Sequence, residues 1–118
     1  IADSITQKYG FTPTIVDPRF VKPLDEDLLR EQASRHNVII TIEDNVLVGG
    51  FGTAVLEFIQ TLDEKPLVQR IGWPDEFIEH GSSVNSLRKK YMLDSKSILK
   101  SVELFLNHAK IKCKSVLA

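Results

Sequence analysis

The stretch ITIEDNVLVGGFGTAVLEFI, residues 40–59, limits the possible folds of this chain more than any other part of it. The strand that leads into it, NVIITIE at residues 37–43, is apolar at nearly every position. Such a run is typical of a strand that is covered on both faces. Three glycines follow, and then Ala54, Val55, Phe58 and Ile59 recur at the spacing of one helix face. The sequence therefore predicts a buried strand joined by a tight glycine turn to an amphipathic helix.

Helices and strands alternate along the rest of the chain. Gly10 stands where a first helix would stop, and Asp25 is a candidate N-cap for a second helix that ends near His36. The pattern predicts helices over residues 1–9, 25–36, 52–62, 83–91 and 95–108, with further strands over 11–17 and 67–72. This alternation favours right-handed βαβ units, and hence an α/β domain with a mainly parallel sheet between two helical layers.

The predicted sheet is thin, because it has only three strands. The first predicted element is a helix that has no strand before it. In a parallel sheet, such a helix normally connects two strands. We therefore expect that a strand N-terminal to Ile1 is missing. On this interpretation residues 1–118 form one domain-sized fragment of a longer protein.

Composition excludes several classes of function. Fifteen basic and sixteen acidic residues leave a net charge of −1, which argues against a nucleic-acid-binding protein that must neutralise phosphates. The basic cluster KIKCK at residues 110–114 is interpreted as a solvated terminal segment. No apolar run reaches the roughly 20 residues that a membrane helix requires, so no membrane contact is expected. Cys113 is the single cysteine, which favours a reducing compartment.

The glycine turn is the first candidate binding site. Gly50 and Gly52 fit the start of the phosphate-binding pattern G-x-G-x-x-G, but its third glycine position holds Val55. The helix N-terminus at Gly52 would still offer free N–H groups to an anion. Gly49, Gly50 and Gly52 are therefore interpreted mainly as a packing turn, and a weak anion site remains the alternative.

Charged residues at the strand ends are the next candidates. Glu43 and Asp44 are adjacent on a strand, so their side chains point to opposite faces and cannot form an acid/base pair. Capping or a buried ion pair is the expected role of Glu43 and Asp44. Arg19 could bind a carboxylate or phosphate, but we favour a bidentate salt bridge that fixes its loop.

The histidines do not form a recognisable metal or catalytic motif. His80, in FIEHGSS, has Glu79, Ser82 and Ser83 nearby in sequence, but the G-x-S-x-G pattern of a nucleophile elbow is absent. We interpret His80 as a surface loop residue. We interpret the apolar set Trp73, Pro74 and Phe77 as a surface on which another protein docks, since aromatic residues are enriched at interfaces.

Four sequence blocks, in order and at the expected spacing, carry a family resemblance. They are VDPRFVKPLD at 16–25, VIITIEDNVLVGGFGTAVLE at 38–57, IGWPDEFIEHGS at 71–82 and LRKKYMLDSKSIL at 87–99. Together they resemble the C-terminal domain of the 1-deoxy-D-xylulose-5-phosphate synthases, thiamine-diphosphate enzymes of the transketolase superfamily. The resemblance covers roughly residues 12–106.

The resemblance implies a fold, and it implies the reaction of the longer protein to which such a domain belongs. The fold would be a three-layer α/β/α sandwich, mostly parallel with one possible antiparallel edge strand, and with its first strand missing here. Members condense pyruvate with glyceraldehyde 3-phosphate, release carbon dioxide and feed isoprenoid precursor biosynthesis. Thiamine diphosphate and Mg²⁺ would be held by the preceding catalytic domains, so the resemblance assigns no catalytic, cofactor or metal residue to this chain and implies that the fragment alone is inactive. It also implies a homodimer, in a bacterial cytoplasm or alternatively in a plastid stroma.

Two other classes of function remain open at this point. One is a stand-alone interaction module of a split transketolase or of the 2-oxoacid dehydrogenase β-subunit type. The other is a small-anion-binding α/β domain that uses the glycine turn.

Overall fold

The computed structural model describes residues 1–108 and 116–117. In chain order, its elements are α1 (Ala2–Tyr9), α2 (Glu26–Arg35), β1 (Val38–Val46), α3 (Phe51–Gln60), β2 (Leu67–Trp73), α4 (Val84–Lys90), α5 (Ser95–His108) and β3 (Val116–Leu117). The interpretation of KIKCK at 110–114, which includes Cys113, falls outside the described residues.

The described strands form one parallel sheet in the order β2-β1-β3. Strand β1 pairs with β2 from Val38↔Leu67 to Ile42↔Ile71, and after an irregularity again at Val46↔Trp73. On its other side β1 pairs with β3 at Val38 and Ile39. The mainly parallel sheet predicted from the alternating pattern is confirmed, and an antiparallel strand does not occur among the residues described.

Helices cover both faces of β1 and thereby create two apolar cores. On one face, Ile5 of α1 and Ile98, Val102 and Leu106 of α5 pack on Val38, Ile40 and Ile71. On the other face, the core combines side chains of α2 and α3 with the strand residue Ile39; it contains Leu29, Ala33, Val55, Phe58 and Ile59. Residues 38–41 are therefore buried on both sides, which explains the unbroken apolar run and confirms the three-layer α/β/α arrangement.

Local signals in the sequence set the ends of the helices. Gly10 ends α1 in the left-handed conformation, with φ 73°, and its N–H donates to the carbonyl oxygen of Thr6. Asp25 caps α2, since its Oδ1 accepts from the N–H of Leu28 at 3.0 Å. The Ser83 hydroxyl oxygen does the same for α4 by accepting from the N–H of Ser86 at 3.2 Å.

The strand predicted over residues 11–17 is wrong in extent. Only Thr14 forms a strand-like bridge, and its neighbours lack regular structure. Pro13 removes an N–H donor within this segment and Pro18 removes one directly after it, so a continuous ladder is interrupted. The Thr14 hydroxyl instead pairs with Nε2 of His36, which is buried and whose Nδ1 lies 2.9 Å from the carbonyl oxygen of Gln32.

A groove of about 550 Å³ lies beside the middle of β1. Ile1 and Ile5 of the N-terminal segment, Ile15 of the irregular segment, and Ile40 and Ile42 of β1 all contribute to its lining. Among the described residues, no strand pairs with β1 on this side beyond Ile39. The groove therefore exposes part of a strand whose first residues are fully covered.

Candidate functional site

The glycine turn connects the carboxyl end of β1 to the N-terminus of α3. Gly49 adopts φ +70°, a left-handed conformation that favours glycine, and Gly50 precedes the first helical residue, Phe51. The N–H of Leu47 donates to the carbonyl oxygen of Trp73 at 2.9 Å, which ties the turn to the end of β2. The turn thus lies at the carboxyl edge of the sheet, where α/β proteins usually place their ligands.

The side chain of Glu43 occupies the N-terminus of α3. Its Oε2 accepts from the N–H of Phe51 at 2.7 Å, and its Oε1 accepts from the N–H of Gly52 at 3.0 Å. A carboxylate at this position satisfies free backbone donors and interacts favourably with the positive end of the helix dipole. Glu43 therefore caps α3, which is one of the two roles expected of it, and it stands where a bound anion would have to lie.

Close packing explains the glycines at positions 50 and 52. A Cβ atom at Gly50 would overlap the Glu43 carboxylate and the carbonyl oxygen of Val46. A Cβ atom at Gly52 would stand 2.6 Å from Oγ1 of Thr41 and 3.0 Å from Cγ of Arg70. Both glycines allow the start of the helix to approach the strand, which is the behaviour of a packing turn.

A second polar contact holds the turn from the side of β2. The guanidinium of Arg70 donates through Nη1 to Oγ1 of Thr53 at 2.8 Å and to the carbonyl oxygen of Leu47 at 3.3 Å. The Thr53 hydroxyl itself donates to the same carbonyl at 2.7 Å. Sequence reasoning missed Arg70 and Thr53, because they are 17 residues apart and neither belongs to a motif.

Asp44 organises the other face of the same strand end. Its Oδ1 accepts from Nε1 of Trp73 at 2.7 Å, and its Oδ2 accepts from Nη2 of Arg88 at 2.7 Å. The Trp73 hydrogen bond, followed by the Arg88 hydrogen bond, lowers the pKa of the Asp44 carboxyl from its ordinary value. Tyr91 packs edge-on against the Trp73 ring at a centroid distance of 5.7 Å. The cluster Asp44–Trp73–Arg88 therefore links β1, β2 and α4.

Arg19 and His80 do not join either group. The Arg19 side chain makes one exposed contact with Asp17, with 3.9 Å between Nε and Oδ2, instead of the bidentate salt bridge we favoured. The backbone N–H of Arg19 also donates to Oδ1 of Asp17 at 3.3 Å. A pair this exposed contributes about 0–1 kcal/mol to stability. His80 is exposed, and its side chain takes part in none of the hydrogen bonds found between described residues.

The described part of the chain offers little for a metal ion. Within residues 1–108 and 116–117, no group of three His, Cys, Asp or Glu side chains could hold a metal ion. A small apolar cavity of about 80 Å³ lies between α2, α3 and β1 and is lined in part by Pro18, Leu29 and Val55. None of the described helices has both the length and the apolar character that crossing a bilayer would demand.

Comparison with known proteins finds one family and a set of relatives that share one name. The family described as "Transketolase, C-terminal domain" matches residues 1–98. A 1-deoxy-D-xylulose-5-phosphate synthase of Caldanaerobacter subterraneus subsp. tengcongensis is 46% identical over 101 residues, which cover 86% of this chain and 16% of that protein. The synthase of Shewanella sediminis is 42% identical over 106 residues, covering 90% and 17% of the two chains. That of Acidobacterium capsulatum is 41% identical over 102 residues, covering 86% and 16%.

The chain thus spans about one sixth of the length of these curated relatives. The matched blocks include the strand, the glycine turn and the helix that build the polar contacts around Glu43 and Asp44.

Proposed function

Because the chain belongs to the transketolase C-terminal domain family, we propose that it forms the C-terminal domain of a 1-deoxy-D-xylulose-5-phosphate synthase. The observation that carries this proposal is identity of 41–46% to synthases over most of the chain. The whole protein would condense pyruvate with glyceraldehyde 3-phosphate, with loss of carbon dioxide, and would be a transferase that supplies isoprenoid precursors. This chain would contribute structure and packing to that protein.

The use of the polar groups at the carboxyl edge supports a structural role. Both oxygens of Glu43 are engaged by backbone N–H groups, and both oxygens of Asp44 are engaged by side chains. Catalytic carboxylates need a free position from which they can transfer a proton to a substrate. The two acids instead fix the positions of α3 and α4 relative to the sheet.

Thiamine diphosphate would supply the carbanion-stabilising chemistry of the whole enzyme, together with Mg²⁺. The described residues do not fit this group. A diphosphate at the N-terminus of α3 would meet the Glu43 carboxylate, which repels it and already uses the N–H groups of Phe51 and Gly52. We therefore propose that the cofactor is bound by the preceding domains of the longer protein.

The same geometry weighs against the small-anion alternative, because an anion could bind only if Glu43 moved away from the helix. The stand-alone interaction module has the same fold as the proposed domain. The encoding reading frame distinguishes the two. For the proposed synthase domain, it continues upstream of Ile1 into a pyrimidine-binding domain, and for a stand-alone module it does not. We also propose a homodimeric assembly and a cytoplasmic location, or a plastid stroma, in keeping with the family resemblance.

The test is to purify the native gene product and the 118-residue chain in parallel. We expect the native product to make 1-deoxy-D-xylulose 5-phosphate from pyruvate and glyceraldehyde 3-phosphate in a thiamine-diphosphate-dependent manner. The chain alone should show neither turnover nor saturable binding of the cofactor in isothermal titration. Micromolar cofactor binding by the isolated chain would contradict the proposed division of roles.

A further inference from the structure

Strand β1 is paired along most of its length on one side and only at its start on the other. Towards β2 the pairing runs from Val38 to Ile42 and resumes at Val46. Towards β3, which has two residues, the pairing covers Val38 and Ile39 and then stops. Among the described residues, the stretch 40–42 therefore has no strand on this side, and its backbone groups there remain open to a further strand.

An open space lies beside this stretch on each face of the sheet. On the face covered by α1 and α5, both Ile42 and Ile15 line the groove of about 550 Å³. On the face covered by α2 and α3, both Thr41 and Pro18 line the cavity of about 80 Å³. Since the side chains of a strand point alternately to the two faces of its sheet, a strand beside residues 40–42 would place side chains in both spaces. We call the two spaces together the strand slot.

The Thr41 side chain indicates that β3 leaves the slot incomplete. Thr41 is 4% exposed, and its Oγ1 has no hydrogen-bond partner among the residues that the structure describes. A buried hydroxyl without a partner is costly, and the pairing with β3 ends two residues before it, at Ile39. Ile42, one residue further along β1, is 41% exposed. A longer strand in the slot would cover both residues.

The connections of the fold allow two different strands to enter the slot. Strand β3 follows α5, which packs on the face of the sheet opposite α3. Helix α1 packs on the same face as α5 and leads to the segment of Ile15, which lines the slot. A strand before α1 that lay in the slot would therefore be joined through α1 to its neighbour on the far side, which is the usual crossover between parallel strands.

We propose that this slot is a site of strand exchange, in which β3 covers its beginning in the 118-residue chain and a longer strand that precedes α1 in the whole protein displaces β3. The inference rests on the proposed function, in which this chain is part of a longer polypeptide. The longer strand prevails because it can pair with β1 as far as Ile42 and bury apolar groups in both spaces, whereas β3 pairs with two residues. Strand β3 is thus a substitute cover for the edge of β1 whenever that strand is not in place.

The experiment compares Val116→Pro/Leu117→Pro with Val116→Thr/Leu117→Thr, first in the 118-residue chain. Proline removes the backbone N–H groups with which β3 can pair, whereas threonine keeps them and favours extended backbone, so the threonine variant is the matched control. Hydrogen exchange followed by mass spectrometry should show β1 exchanging about tenfold faster in the proline variant, at a dilution where the chain is monomeric. The exchange of α3 should be the same in both variants, which would show that the fold is intact.

In the whole native protein, the matching substitutions should leave the exchange of β1 unchanged. There β3 no longer pairs with β1, so the proline and threonine variants should exchange the β1 amides at equal rates, and more slowly than the 118-residue chain does. Equal rates for the two variants of the 118-residue chain would overturn the proposal, because β3 would then not cover β1. A tenfold difference that persists in the whole protein would overturn it too, because β3 would then not be displaced.

Synthase activity separates this inference from the proposed function. If the whole protein is an active synthase and its proline variant still exchanges β1 faster than its threonine variant, the strand exchange is wrong and the function stands. If the whole protein lacks synthase activity but shows equal rates where the 118-residue chain shows the tenfold difference, the function is wrong and the strand exchange stands.

Discussion

Glu43 shows how a single side chain can decide what a helix N-terminus does. The strand–glycine–helix pattern alone allows either a phosphate site or a packing turn, because both need backbone N–H groups at the start of a helix. In this chain the strand supplies its own carboxylate, which accepts from Phe51 and Gly52. The sequence indicated a capping role but could not assign it to α3, since the two partners are eight and nine residues away.

Removing this cap should destabilise the domain. Glu43→Ala should lower the free energy of unfolding by about 0.5–2 kcal/mol, the range measured for loss of N-terminal helix caps. Glu43→Gln should lose less, because its amide oxygen can still accept one of the two bonds. Urea unfolding followed by circular dichroism measures the difference, and Glu57→Ala on the exposed face of α3 is the control. A loss no larger than that of Glu57→Ala would show that the cap contributes nothing.

Gly52 should tolerate no side chain. Gly52→Ala would place Cβ 2.6 Å from Oγ1 of Thr41 and should cost about 1–3 kcal/mol of stability through overpacking. Thr41→Ala removes that hydroxyl, so the double variant Gly52→Ala/Thr41→Ala should lose less than the sum of the two single losses. Strict additivity in urea unfolding would mean that the contact with Thr41 is not the source of the cost.

At the scale of elements, the link between β1, β2 and α4 depends on the ionised form of Asp44. Hydrogen bonds from Trp73 and Arg88 lower the pKa of this carboxyl below 3.8. A lowered pKa in the folded state means that Asp44 contributes stability above its unfolded pKa of about 4 and loses it as the pH falls through the folded value. The contribution is small because the side chain is 64% exposed.

Acidification should therefore loosen α4 before the core unfolds. Trp73 is the only tryptophan, so its fluorescence reports this cluster directly. As the pH falls below the ordinary carboxyl pKa of about 4, emission should change while the far-ultraviolet circular dichroism remains nearly constant. Asp44→Asn should show the altered emission already at pH 7 and should lose the acid-dependent change. If Asp44→Asn still shows the same acid-dependent change in emission, that change comes from another titrating group.

Elements with periodic patterns were predictable, and contacts between distant elements were not. The predicted bounds of the last helix, 95–108, agree with those of α5, because one apolar stripe runs along its whole length. Residues 11–17 were predicted as a short strand but form only the single bridge at Thr14, because pairing requires a partner that the local pattern does not reveal. The contact of Trp73 with Asp44, 29 residues away, has no sequence signal. The sequence nevertheless suggested a docking role for Trp73 and Phe77, and that role stays a prediction.

At the scale of the whole molecule, burial is uneven along β1. Val38, Ile39 and Ile40 are at most 1% exposed, whereas Ile42 is 41% exposed beside the groove that includes Ile1 and Ile15. An apolar strand with an open side presents both unpaired backbone groups and apolar surface to solvent. Both features favour association with another polypeptide.

The isolated chain should consequently self-associate as its concentration rises, through the groove that Ile1, Ile15 and Ile42 line. Sedimentation velocity over a hundredfold concentration range should show dimers or larger species at the upper end. Ile15→Lys should shift this equilibrium towards monomer, because it places a charge at a groove position that is already 69% exposed and therefore spares the fold. Phe77→Ser, which changes an even more exposed apolar residue outside the groove, should leave the association unchanged. A chain that remains monomeric at every concentration would mean that the exposed side of β1 is too narrow or too irregular to pair. In that case, its burial pattern would no longer support a missing neighbour.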